Sequence, residues 1–76
     1  MMSIRRASDG GWIAEDVKFH FQHFDTAEEM CQFVVNKGLA NDDELDKAIL
    51  YMAATNNNTA HFTIGGMFSH VEDVKD

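Results

Sequence analysis

Apolar and polar positions alternate along the first third of the chain, recur at helical spacing through the middle, and alternate again near the end. The first alternating stretch, residues 3–7, stops at Ser8-Asp9-Gly10-Gly11 and resumes at Trp12. Asp-Gly between such runs is a hairpin signal, because the turn needs residues that tolerate positive φ. Strands are therefore predicted over 3–7 and 12–23. In the longer one, Ile13, Val17, Phe19 and Phe21 share a face, and Trp12, Ala14, Asp16, Lys18, His20 and Gln22 share the other. The first set is expected in the core and the second on a wetter surface. Glu15 interrupts the apolar set and marks a bulge or break.

The period then changes. Asp25 with Glu28, or Thr26 with Glu29, has the spacing of a capping box. Ala27, Met30, Cys31, Val34 and Val35 follow on one helical stripe, with Phe33 at its edge. Lys37-Gly38 supplies a cation for the last turn and a residue suited to the left-handed cap. A second helix starts at Asn41, with Glu44 three residues on and Asp42 and Asp43 at the positive end of the helix dipole. Leu45, Ala48, Ile49, Met52 and Ala53 form its buried stripe, and Asn56-Asn57-Asn58 ends it. From Thr59 to Val71 the chain is β-prone around Gly65-Gly66. That pattern suits a hairpin or one strand kinked by a glycine bulge. The element order is ββαα followed by one strand or a hairpin. The fold class is α+β: a small antiparallel sheet with two helices packed on one face. The expected core is Ile13, Val17, Phe19, Phe21, Met30, Val34, Leu45, Ile49, Met52, Phe62 and Ile64.

At 76 residues the chain is expected to make one domain, 1–76, with a frayed tail at 72–76. A core this small leaves a margin of only a few kcal/mol, roughly 3–5. The single cysteine, Cys31, excludes an intramolecular disulfide, so self-association is the cheapest remaining aid and a homodimer is expected. No apolar run nears the ~20 residues of a membrane span. No apolar stretch follows the N-terminal charges, so neither membrane nor export is indicated, and the lone thiol fits a cytoplasmic location. Thirteen acids against six bases give a net charge of −7. Direct nucleic-acid binding is not expected, because it rests on Lys and Arg contacts to phosphate. A protein partner with a basic surface is.

Candidate chemistry is sparse. Pairing Ile64 with Met67 in a hairpin puts His61 opposite His70. If the strand carrying His20 lay beside that hairpin, His20, His61 and His70 would converge as ligands for Zn²⁺ or Ni²⁺. Cys31 sits within an apolar stripe, where a thiol acts as a small hydrophobe. The glycine pairs lack the lysine and strand-to-helix setting of a phosphate loop. No catalytic set or cofactor motif is present, and an enzyme is not expected. Candidate partner-binding residues are the acids Asp42, Asp43, Glu44 and Asp46, with Leu50 and Tyr51 on the shoulders of the second helix and Trp12 on the strand face opposite Phe19 and Phe21. The expected function is that of a non-enzymatic, acidic protein-binding domain, an inhibitor or adaptor of the kind phages and mobile elements encode against host or defence proteins, acting there in the host cytoplasm. The alternatives are a small histidine-based metal- or ligand-binding protein and an accessory subunit that works by self-assembly.

Overall fold

The computed structural model describes residues 1–75. Five strands and two helices follow in the order β1 (Met2–Arg6), β2 (Trp12–Asp16), β3 (His20–Phe24), α1 (Ala27–Asn36), α2 (Asp42–Thr55), β4 (Thr59–Phe62) and β5 (Phe68–Glu72). The sheet is antiparallel throughout, with strand order β3-β2-β1-β4-β5. α1 lies over β2 and β3, and α2 over β4 and β5. Both helices are on one face, as the α+β reading expects.

Local chemistry sets the helix ends. The Thr26 hydroxyl accepts the Glu29 N–H and donates to the Glu29 carboxylate, so Thr26 rather than Asp25 is the N-cap of α1. At the other end of α1, Gly38 takes φ +71. There the Leu39 N–H reaches the Val34 carbonyl and the Gly38 N–H the Val35 carbonyl, a Schellman closure that turns the chain directly into α2. Asn41 caps α2 through its side-chain oxygen on the Glu44 N–H. Asn56 ends that helix in the left-handed conformation.

The predicted strand 12–23 is instead a hairpin. It breaks at 17–19, where the Asp16 carboxylate accepts the Lys18 N–H and His20 adopts φ +62. This break overturns the expected faces. Trp12, Ala14 and Asp16 point to the helices beside Met2 and Ile4 of β1, while Ile13, Glu15 and Phe21 face away. The alternation of Val17, Phe19 and Phe21 ran through a turn, so it carried no common face. Phe19 curls from that turn under the sheet and meets Phe33 of α1 edge-on at 5.2 Å. Val17, Phe21 and Ile64, all expected in the core, are exposed. Met30, Val34, Leu45, Met52 and Phe62 are buried as expected, Met2, Ile4, Ala14, Ala40, Ala48 and Ala60 complete the core, and Ile13, Phe19 and Ile49 are only half-buried.

The last segment is a hairpin, β4 and β5, with a loop at 63–67. The loop closes by the Thr63 N–H on the Met67 carbonyl. Phe62 pairs with Phe68, and a bulge then restores His61 opposite His70, the pairing expected from a shorter loop. Gly66 must be glycine twice over. Its φ is +84, and a Cβ there would stand 2.7 Å from the Leu39 carbonyl oxygen. The tail is held as far as Val74, whose N–H and C=O both bond the Asn58 side chain, so it is not frayed over that part. Asp76, also in the expected frayed end, lies outside the described residues.

Candidate functional site

Two helices cover one face of the sheet; among the described residues no helix or strand covers the other, which is bordered by the tail residue Val74 beside the buried Thr59. Adjacent rows on this open face are set by strand register. One runs Phe21, Glu15, Ser3, His61, His70, and the next His23, Ile13, Arg5, Thr59, Glu72. At the end where the 17–19 turn, the N-terminus and the 63–67 loop meet, the surface is apolar. Met1, Val17, Phe21 and Ile64 are 74%, 81%, 65% and 88% exposed. They line a groove of about 1050 Å³ whose floor carries Ser3 and Glu15 and whose far side carries His61 and His70. Asp16 sits at the helix-side edge of this end, buried, with the Met1 ammonium 3.5 Å away.

The expected partner-binding residues divide into those still available and those already used. Asp42, Asp43 and Asp46 are exposed at the start of α2. Glu44 is not a free surface acid and does not close the capping box. Its carboxylate accepts the Phe68 N–H at 2.8 Å and the Lys47 ammonium at 2.9 Å, fastening α2 to β5. The Lys47 contact, then the Phe68 N–H, hold its carboxyl below the ordinary value. Trp12 is half-buried against the core beside its cross-strand partner Phe24, with the Arg6 guanidinium 5.7 Å over its ring, so only part of it is open to a partner. Leu50 is 71% exposed on the outside of α2, and Tyr51 leans on the Phe68 ring at 5.7 Å.

The structure brings only two of the three predicted metal ligands together. His61 and His70 stack with ring centroids 4.8 Å apart. His20 is on β3, and β2 and β1 stand between it and β4, so the juxtaposition with the last hairpin does not occur. Glu72 takes the third place. Its Oε2 is 2.6 Å from His61 Nε2 and 3.8 Å from His70 Nε2. Glu72 lies two residues beyond His70, so strand alternation puts both on one face once β5 extends to residue 72, and the β4–β5 register then sets Glu72 diagonally across from His61. The fourth histidine, His23, pairs with Asp9, whose carboxylate also accepts the Gly11 N–H. These contacts, the Gly11 one foremost, draw the Asp9 carboxyl below its ordinary value.

Cys31 is half-buried on α1. Burial, then the negative charges of Asp46 and Asp42, push its thiol above the ordinary value, the opposite of what an activated thiolate requires. No helix is long and apolar enough to cross a membrane among the described residues. Compared with known protein families, curated proteins and solved structures, the chain has no match.

The apolar end of the open face was hidden from sequence reasoning because its residues look like core residues. One signal was available. Two helices cover a single face of a sheet, and no third element remained to cover a second apolar face.

Proposed function

We propose that this domain is a non-enzymatic binder of another protein, and that its partner docks on the open sheet face with a basic, apolar-centred surface. The observation that carries this reading is the gathering of Met1, Val17, Phe21 and Ile64, each more than half exposed, around one groove. Contiguous apolar surface of this kind loses free energy in water and marks interaction sites. The charge favours a basic occupant over a second copy, since each chain carries −7. A homodimer through this face would bring like charges together. The acids of α2 border the same end of the molecule, because the 63–67 loop packs on Leu39 and Phe68 is bonded to Glu44. Asp42, Asp43 and Asp46 would steer a basic partner toward the patch. The same charge disfavours direct contact with nucleic acid.

The test compares wild type with a Val17→Ser, Phe21→Ser, Ile64→Ser variant. Both are immobilised and exposed to cell extract, with Leu50→Ser as a control on the opposite side. A protein retained by wild type and by the control, and lost by the triple variant, supports the reading. Equal retention by all three refutes it. Sedimentation of wild type alone should give the mass of one chain, and a doubled mass abolished by the triple variant would make the occupant a second copy.

A further inference from the structure

We infer that His61, His70 and Glu72 form a transition-metal site on the open face, suited to Zn²⁺. The three ligating atoms all lie within 4.8 Å of one another. With metal–ligand bonds of ~2.05 Å, tetrahedral neighbours stand about 3.3 Å apart. The Glu72 distances to the two rings, 2.6 and 3.8 Å, bracket that value. Two imidazole nitrogens and one carboxylate oxygen are a donor set for Zn²⁺, Co²⁺ or Ni²⁺. Mg²⁺ and Ca²⁺ call for oxygen donors.

Three features distinguish this cluster from an ordinary histidine–carboxylate contact. His61 Nε2 is shielded from solvent and has no hydrogen-bond partner, although Glu72 Oε2 is only 2.6 Å away. A shielded imidazole nitrogen that no hydrogen bond occupies, with a carboxylate oxygen beside it, is free to ligate an ion. Second, the Ser69 hydroxyl is 3.1 Å from His70 Nδ1. That contact occupies one ring nitrogen and leaves Nε2 for the ion, the arrangement by which outer-shell groups orient metal-binding histidines. Ser69 is the bulge residue between the Phe62–Phe68 and His61–His70 pairs, so the same irregularity that sets the register also supplies this support. Third, all three ligands project from paired strands, where backbone hydrogen bonds limit their movement. Three protein ligands leave a coordination position for water, as in open zinc sites.

His61 and His70 border the groove proposed for docking, but metal binding needs no partner and is tested without one. Metal-free protein is titrated with Zn²⁺ by calorimetry and with Co²⁺ by visible absorption. The variants are His61→Gln, His70→Gln and Glu72→Gln, with His20→Gln as the control. We expect one Zn²⁺ per chain at micromolar concentration and the intense visible bands of low-symmetry Co²⁺. Each ligand substitution should weaken binding at least about tenfold, the loss that follows even from removing outer-shell groups. His20→Gln should bind like wild type. His70 is 61% exposed, so His70→Gln leaves the fold intact, and the wild-type Co²⁺ spectrum needs no variant at all. Absence of saturable binding, wild-type affinity in the three ligand variants, or an equal loss in His20→Gln overturns the site.

Discussion

Phe21 and Phe62 are the same residue type on two strands of one sheet, and the structure gives them opposite energetic roles. Phe62 is 1% exposed, beneath the helices, and Phe21 is 65% exposed on the open face. Replacing Phe62 by Ala removes a fully buried ring and leaves a cavity, a loss of about 3–5 kcal/mol. That approaches the whole stability of a domain this small, roughly 3–5 kcal/mol. Full burial of a Phe side chain contributes ~1.5–3 kcal/mol, and Phe21 has only about a third of its surface covered. Phe21→Ala should therefore lose roughly 0.5–1 kcal/mol, plus a few tenths for the poorer strand preference of Ala. For a chain of this length 1 kcal/mol is worth about 4–8 °C in the midpoint. Far-UV circular dichroism during thermal and urea unfolding measures both variants. Phe21→Ala should melt cooperatively within about 10 °C of wild type. Phe62→Ala should be largely unfolded at room temperature. If the two variants are equally destabilised, the Phe21 face is covered in solution and the assignment of an open face is wrong.

Glu44→Gln should lower the melting midpoint at neutral pH more than Asp43→Asn does, because Glu44 bonds the Phe68 N–H of β5 while Asp43 is an exposed helix-start acid. Its folded carboxyl titrates below the ordinary 4.5, so its contribution is present above that pH and disappears as pH falls through the lower folded value. The midpoint gap between wild type and Glu44→Gln should then narrow on acidification below 4.5, and a constant gap would show that the charge is not involved. Gly66→Ala should cost about 1–3 kcal/mol through its positive φ, with a further loss from the clash with Leu39; an unchanged melt would contradict the close approach. Asp43→Asn with Asp46→Asn should barely move the melting midpoint, since exposed charges are individually worth little. The same pair should slow association with a basic partner at low salt and lose that effect at high salt, and salt-independent rates would limit these acids to helix capping.

What the sequence determined by itself was local. Thr26, Gly38, Asn41 and Asn56 each place a helix end through a hydrogen bond or backbone preference that acts within a few residues. Met30, Val34, Leu45, Ala48 and Met52 are buried as their spacing predicts, because a helix turns residues three and four apart to one neighbour; Ala53, near the end of α2, is exposed. Strand faces were not legible in the same way. A strand's facing reverses with a one-residue change in register, and the turn at 17–19 broke the period that Val17, Phe19 and Phe21 seemed to continue. Residues 12–16 gave no correction, since apolar and acidic side chains occur at both parities. Which parity faced the helices was decided by pairing with β1, where Met2 and Ile4 already pointed inward. The candidate metal site divides along the same line. The shared face of His70 and Glu72 follows from their i, i+2 spacing on one strand. The exclusion of His20 and the opposition of His61 and His70 depend on strand order and on the bulge at Ser69, and these are settled only when the strands pair into one sheet.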